Sequence, residues 1–269
     1  MLSLRKLVVR VLAPMLVSAL ACAAAEVATG VINCVEGQVT LDGKALTLNE
    51  TETAVLSQGR VLQTEQGRAE VLLTPGVYLR VGENSTVKME AASEKDVRLE
   101  VVRGEALVEV DAVAKNRRLD VIDQGADAHL NQDGAYLFNA SQPAIAVYAG
   151  RVRVEDDRRG IALGQGQELL LSGTSGLKPR KFDRTAPDAV YAWSRQRAVY
   201  ASQVSEWTGE SLLGLDGAGK YSDGWYWNPW FKSWAFVPDK GHAISPFGYG
   251  LYAPSAPHYT TPVFADFRK

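Results

Sequence analysis

Between residues 31 and 171 apolar and polar residues alternate in short runs, which limits the folds open to the chain. Runs such as "RAEVLL" at 68–73 and "ALVEV" at 106–110 put every second side chain on the same side of an extended backbone. Turn sequences such as "TPGV" at 74–77 and "NQDG" at 131–134 separate the runs, and no helical periodicity interrupts them. We therefore predict an all-β domain over residues 26–172, built as a sandwich or a roll.

A short frame recurs three times within this region. The segments "INCVEGQVTL", "LEVVRGEALVEV" and "IAVYAGRVRV" share apolar positions on either side of a glycine, which is Gly37, Gly104 or Gly150. A glycine at a fixed place between two strand halves is typical of a sharp bend or bulge where a Cβ would clash. The frame therefore predicts three bends in the sheet.

The pattern changes after a Ser-, Gly- and Lys-rich linker at 173–187. Residues 188–209 have apolar side chains three and four residues apart, which predicts a helix capped by Thr185 or Asp188 and ended by Gly209. One face of this helix should pack on the sheet. Apart from Arg197 in its middle, that face is formed by Val190, Trp193, Tyr200, Val204 and Trp207.

The segment 210–269 is rich in aromatic residues, proline and glycine. Its candidate binding aromatics are Trp225, Tyr226, Trp227, Trp230 and Trp234. They could cover the sheet and the helix, or they could bind a partner protein or a glycan, because Trp and Tyr are frequent at interface hot spots. The alternation of Trp225 and Trp227 with Tyr226 predicts that one side of the segment packs and the other is exposed.

The N-terminus has the pattern of a secretory signal peptide over residues 1–25. A basic start, an apolar stretch and small residues before Glu26 follow one another. Lipidation at Cys22 and an uncleaved anchor remain alternatives. We expect a periplasmic or extracellular protein with no stable membrane span after cleavage. Cys34 would then be the one cysteine of the mature chain, which we expect to be buried and inert; pairing with a cysteine of another molecule is the alternative.

Composition and motifs argue against several functions. A net charge of −2 without a basic face disfavours nucleic-acid binding. The three histidines are dispersed, and no metal-ligand spacing links them. We therefore expect no catalytic residue, no metal site and no cofactor.

Residues 31–155 resemble the FecR domain of bacterial envelope proteins. The resemblance lies in a "V-x-G-x-V"-like start, a central strand frame, an Asn-Ser dipeptide and a later glycine-centred strand pair. The central matches are Thr64, Gly67, Ala69, Val71, Leu73, Gly76, Leu79, Val81, Asn84 and Ser85, and Gly104 marks the later pair.

This resemblance implies a non-enzymatic, extracytoplasmic β-domain. In the family's namesake such a domain receives a signal from an outer-membrane receptor and controls a sigma factor. Here no cytoplasmic domain followed by a membrane helix precedes the β-region, so we do not expect anti-sigma control. The favoured hypothesis is a structural or protein-interaction module of the envelope, with an unknown envelope protein as partner. The alternatives are a module that binds cell-wall polysaccharide through the tail aromatics, and a signalling component linked to sigma-factor regulation.

Overall fold

The computed structural model describes residues 27–47, 53–112, 116–156, 159–172, 177–216, 222–239 and 242–252. Within these ranges the chain is mostly β-strand, with one helix on the C-terminal side. The predicted signal peptide and residues 253–269 lie outside the described residues.

The strands of the first half of the chain are β1 (Val31–Leu41), β2 (Lys44–Ala45), β3 (Val61–Leu72), β4 (Val77–Val81), β5 (Thr86–Ala92), β6 (Asp96–Arg103), β7 (Glu105–Val110), β8 (Arg118–Asp123) and β9 (Ala126–His129). They are followed by β10 (Gly134–Asn139), β11 (Ala144–Ala149), β12 (Arg151–Asp156), β13 (Arg159–Gly164), β14 (Gln167–Leu170) and β15 (Arg180–Lys181). Helix α1 (Ala189–Asp216) precedes two hairpins, β16 (Gly224–Asn228) with β17 (Ser233–Val237) and β18 (His242–Ile244) with β19 (Gly250–Tyr252).

Strands β1–β15 form one large mixed sheet. Its order is β13-β12-β9-β8-β6-β5-β3-β4-β7-β10-β11-β14-β15, and β1 pairs with β2 and β3. The described pairs are antiparallel except for the parallel pair β6 and β8. The prediction of an all-β fold is confirmed. The predicted linker at 173–187 differs in one detail from the structure. Its residues 180–181 form a short edge strand beside β14.

Glycines with positive φ bend the sheet where the repeated frame predicted. Gly37, Gly104 and Gly150 have φ values of 67°, 75° and 85°. A Cβ at any of the three would lie 2.1 to 2.4 Å from a neighbouring atom. Gly104 joins β6 to β7 and Gly150 joins β11 to β12, so each bend carries the chain from one half of the sheet to the other. The predicted bends are confirmed.

The two halves of the bent sheet pack on each other. We call the half with β4, β7, β10, β11, β14 and the C-terminal part of β3 that pairs with β4 the helix-side half, and the half with β5, β6, β8, β9, β12 and β13 the far half. One buried cluster joins side chains from both, such as Val108 and Phe138 from the former and Leu99 and Val154 from the latter. Apolar burial between the halves is therefore the main source of stability.

Unlike the far half, the helix-side half is also covered on its outer face, by α1 and the hairpin β16–β17. Leu107, Leu137 and Tyr148 pack with residues of α1 and with Phe247. Tyr78 and Leu72 pack with Ala201 of the helix and with hairpin aromatics. This covering, which we call the C-terminal unit (α1 with β16–β19), positions every candidate binding aromatic.

The helix extends beyond its predicted end. It begins at Ala189 and runs through Gly209 to Asp216, because Thr208 and Leu212 pack inward and the unit's contacts continue past the glycine. Thr185 does not cap the helix, since its hydroxyl and amide bond to Asp183. The Asp188 carbonyl accepts the first helical bond from Ala192 at 3.0 Å, so Asp188 occupies the cap position.

Candidate functional site: an aromatic surface at the C-terminal hairpin

The candidate aromatics lie in and beside a β-hairpin. In the register of β16 and β17, Trp225 pairs with Phe236 and Trp227 with Trp234. The turn is held by Asn228, whose Oδ1 accepts the N–H groups of Trp230 and Phe231 at 3.0 and 3.3 Å. An Asn side chain that bonds to the next backbone amides is a common way to stabilise a turn. Asn228 therefore fixes the turn between β16 and β17 in a segment rich in aromatic residues, proline and glycine.

One face of the hairpin packs on the sheet. The Trp225 ring meets Tyr78 edge-on with centroids 5.0 Å apart, and Phe236 lies 6.0 Å from Trp225. Trp225 is buried in a cluster that includes Val31 and Leu72. It is therefore shielded from any partner in this conformation.

The other face of the hairpin packs on α1. Tyr226 is buried with Leu212 and Val237. Asn228 Nδ2 donates to Thr208 Oγ1 at 3.0 Å. The prediction that one side of the segment packs and the other is exposed is therefore wrong, because the hairpin lies between the sheet and the helix and is covered on both faces.

Trp227 and Trp234 are half-buried at the end of the hairpin. Their rings meet edge-on with centroids 5.4 Å apart. The Trp234 amide donates to Asn33 Oδ1 of β1 at 3.0 Å. This pair is anchored to the sheet and offers only part of its aromatic surface to solvent.

Trp230 is different, with 89% of its surface exposed at the hairpin turn. Its neighbour Phe231 lies between two residues of α1, 6.1 Å from Tyr200 and 6.3 Å from Trp207 by ring centroids. Trp207 is 59% exposed. We call Trp207, Trp230 and Phe231 the aromatic patch.

Trp207 was expected to pack on the sheet and was not among the candidate binding residues. It lies seven residues after Tyr200 and contacts Phe231, so the helix turns it towards the hairpin loop and solvent. Its spacing alone could not show this, because the loop it contacts comes from a distant part of the sequence.

Besides the aromatic patch, a group of charged side chains lies beneath the C-terminal unit. The side chains of Glu70, Arg80 and Glu109 are fully buried on the outer face of the helix-side half. Arg80 Nε donates to Glu70 at 2.9 Å, and Arg80 Nη1 donates to Glu109. Arg197 of α1 donates to Glu70 from Nη2 at 2.7 Å and from Nε at 3.2 Å. We call these four residues the charge cluster.

The charge cluster is balanced by its own pairs. Burial raises the pKa of Glu70, but the guanidinium groups of Arg197 and Arg80 outweigh it and hold this pKa at about 2. Beside the cluster, burial and the charge of Glu109 raise the pKa of Asp111 well above its usual range. The arrangement suits structural pairing better than proton transfer, because the charged groups already bind one another.

Cys34 and His129 do not form reactive sites. Burial raises the pKa of the Cys34 thiol to about 11, although Arg197 lowers it, so little thiolate forms near neutral pH. His129 Nδ1 lies 2.8 Å from Asp120 Oδ1 on the neighbouring strand. Across the described ranges, no group of three or more His, Cys, Asp or Glu side chains is arranged to hold a metal.

A separate cleft of about 400 Å³ opens beside the Gly37 bend. Gln38, Gln63, Glu65 and Arg103 are among its lining residues, and none of the aromatic patch contributes to it. In the part of the chain that the structure describes, no helix has the length and apolar character to span a membrane.

The central strands of the sheet match a known protein-family model. Residues 60–153, about a third of the chain, match the family model described as FecR protein. The resemblance drawn from the strand frame is therefore confirmed for this region. Among curated proteins, none matches the chain.

Two crystal structures of a candidate anti-sigma factor from Parabacteroides distasonis are similar in part. The first is 16% identical and covers 66% of this chain and 84% of that chain, with a TM-score of 0.42. The second is 14% identical and covers 67% and 85%, also with a TM-score of 0.42.

Proposed function

From its FecR-type region at residues 60–153, we propose that the chain is a non-enzymatic, extracytoplasmic module that binds another envelope protein through the aromatic patch. The FecR match and the strand-rich fold support the module's class. The exposure and fixed position of Trp230 carry the binding part of the proposal.

An exposed tryptophan on a fixed turn is well suited to recognition. Indole rings supply a large apolar area, and Trp is enriched at the hot spots of interfaces. Asn228 is itself buried and holds the turn, so little ordering cost is left for binding. Phe231 and Trp207 extend the apolar surface beside Trp230, as expected of a protein contact.

The test places a photo-crosslinking amino acid at position 230 of the full chain in its native cells. We expect a discrete crosslinked envelope protein, which purified from the same cells binds the chain directly. Trp230→Ala and Trp207→Ala should weaken this binding at least tenfold. Val102→Ala is the matched control, because Val102 is also an exposed apolar residue but lies on β6. Equal binding by all three variants would refute the role of the patch.

Glycan binding is the second candidate, because exposed Trp207 and Trp230 rings can also stack on sugars. Titration with purified peptidoglycan fragments or envelope polysaccharide should then change tryptophan fluorescence. Trp230→Ala would abolish the change, and Trp225→Phe would leave it. A lack of any saturable change excludes this candidate.

A link to sigma-factor signalling is the third candidate, and the FecR match supports it. An adjacent sigma-factor gene and an outer-membrane receptor gene would favour it, and deletion of the chain should then alter transcription from promoters of that sigma factor. Unchanged transcription would count against it.

The extracytoplasmic location is tested independently by fractionating the cells and by sequencing the N-terminus of the purified protein, which we expect to begin at Glu26.

A further inference from the structure

The outer face of the helix-side half has an unusual composition for a permanently buried surface. Glu70 on β3 lies opposite Arg80 on β4, and Glu109 on β7 lies opposite Tyr78, two residues along β4 from Arg80. The three side chains are 0–1% exposed. Interfaces that never open are usually more apolar than this, whereas surfaces that open and close keep polar groups. Buried ion pairs also contribute little net stability, because removing both charges from water is costly.

The contact between the C-terminal unit and the sheet also leaves some buried hydrogen-bonding groups unpaired. Polar atoms on both sides of this contact are buried and find no partner among the described protein atoms. On the sheet these atoms are Tyr78 Oη, Arg80 Nη2 and Asp111 Oδ1, and on the C-terminal unit they are Ser194 Oγ, Trp225 Nε1 and Trp234 Nε1. Each unmet bond costs on the order of 1–3 kcal/mol. These costs make separation of the two surfaces easier than their apolar contacts alone would allow.

The charge balance of this face depends on the C-terminal unit. Without Arg197, the charge cluster keeps Glu70 and Glu109 against Arg80 and has one negative charge in excess. Glu70 would lose the two bonds that it accepts from Arg197. The uncovered face therefore favours a segment that brings a cation to Glu70 and apolar side chains to Tyr78 and Leu72.

The connection to the sheet allows such a movement. Residues 183–188 between β15 and α1 are exposed. The matched FecR-type region ends at residue 153, so the C-terminal unit lies wholly outside it. Withdrawal of the unit would break none of the ladder pairs of the large sheet.

We propose that the C-terminal unit is a releasable latch over a docking face, and that the released face binds a partner helix that presents an arginine to Glu70. The partner is thus a basic and aromatic helix similar in chemistry to the face of α1 that carries Trp193, Arg197 and Tyr200. This goes beyond binding at the aromatic patch, which lies on the outside of the latch and needs no release.

Hydrogen–deuterium exchange of the full chain tests the latch. We expect amides of α1 and β16–β17 to exchange together, and at least tenfold faster than those of β7 and β10. Arg197→Met should speed exchange in α1 and β16–β17 by a further tenfold and leave β5 and β6 unchanged. Arg153→Met, which removes an exposed arginine paired with Glu155 in the far half, is the control and should leave the latch unchanged.

Two results would overturn the latch. One is equal protection of α1 and β7 in the unchanged protein, and the other is acceleration by Arg197→Met that spreads equally to β5 and β6. If Arg197→Met does not fold, Arg197→Lys gives the same readout, because it keeps the charge but not the two-point contact with Glu70.

The occupant is tested with a fluorescent peptide of residues 189–212. It should bind the Arg197→Met protein at least tenfold more tightly than the unchanged protein, and the same peptide with Arg197→Glu should fail to bind. Equal binding of both peptides would refute the role of the cation. A dimer of the Arg197→Met protein in light scattering would instead identify a second copy as the occupant and overturn the assignment of a partner helix. Trp230→Ala should affect none of these measurements, so they fail or succeed independently of the aromatic patch.

Discussion

At the scale of single residues, Gly104 and Gly125 share a positive φ but differ in their surroundings. Their φ values are 75° and 80°. A Cβ on Gly104 would lie 2.2 Å from Ser85 Oγ and 2.6 Å from its Cα, whereas a Cβ on Gly125 would meet no atom within 4 Å. The two positions therefore separate the cost of the left-handed backbone from the cost of a clash.

We predict that Gly125→Ala lowers the unfolding free energy by about 1–2 kcal/mol, the cost of a left-handed alanine. Gly104→Ala should cost about 3–5 kcal/mol, since the bend must also shift. Urea unfolding of both variants measures the difference. Equal losses would mean that the close approach at the bend adds nothing to the requirement for glycine.

The buried carboxyls Glu70 and Asp111 should give stability opposite pH dependences. Glu70 keeps a pKa of about 2 against an unfolded value near 4, so its contribution is lost as the pH falls from about 4 to about 2. The pKa of Asp111 is raised by burial and by Glu109, so the folded protein keeps a proton that the unfolded chain has released. Its effect is a loss of stability as the pH rises above about 4.

We predict that Asp111→Asn stabilises the protein more at pH 8 than at pH 5, because the amide has no proton to lose. Glu70→Gln should cost about 3–5 kcal/mol at pH 7, since it leaves buried arginines uncompensated. Glu94→Gln is the control for both, because it breaks an exposed pair with Arg117 and should change stability by less than about 1 kcal/mol. Urea unfolding across this pH range gives all three values, and an equal gain at pH 5 and pH 8 for Asp111→Asn would contradict its assigned role.

At the scale of elements, the hairpin β16–β17 separates structural tryptophans from exposed ones. We predict that Trp225→Ala lowers the unfolding free energy by about 3–5 kcal/mol, because it empties a buried position against Tyr78 and Phe236. Trp230→Ala should change it by no more than about 0.5 kcal/mol. Thermal unfolding of the two variants provides the comparison, and a large loss for Trp230→Ala would show that its ring packs in solution.

At this scale the sequence predicted the helix and the strands but not the hairpin. The helix pattern was clear from Val190 to Val204. The predicted end at Gly209 is wrong, because a glycine weakens a helix by only roughly 1 kcal/mol and α1 continues to Asp216 with Leu212 packed inward. In the aromatic segment 224–237 both faces of the hairpin carry large or apolar side chains, and both are largely buried, so its alternation did not show a packed side and an exposed side.

At the scale of the whole molecule, the two halves of the sheet share one core and should unfold together. We predict that Leu99→Ala, in β6 of the far half, reduces exchange protection in β7 and β10 as much as in β5 and β8, because its cavity opens into the shared cluster. Val102→Ala, an exposed position on the same strand, should have little effect. Loss of protection confined to the far half would show that the halves are separate folding units.

The candidate site was predicted only in part. Trp230 and the half-buried pair Trp227 and Trp234 remain candidates for binding, and their role stays a prediction. Trp225 and Tyr226 are structural in this conformation, and Trp207 joins the surface instead. The charge cluster was not predicted, because Glu70, Arg80 and Glu109 occupy ordinary alternating positions that a two-sided sheet would expose to solvent.

The sequence by itself determined the strands, the bends and the FecR-type pattern of residues 60–153, because these depend on side-chain alternation and glycine conformation within about ten residues. Only the tertiary structure decided which aromatics are exposed and which charges are buried. Those outcomes depend on contacts between distant segments, such as Asn33 with Trp234 and Glu70 with Arg197. The residues next to a given residue in the sequence do not determine which distant segment covers its face of the sheet.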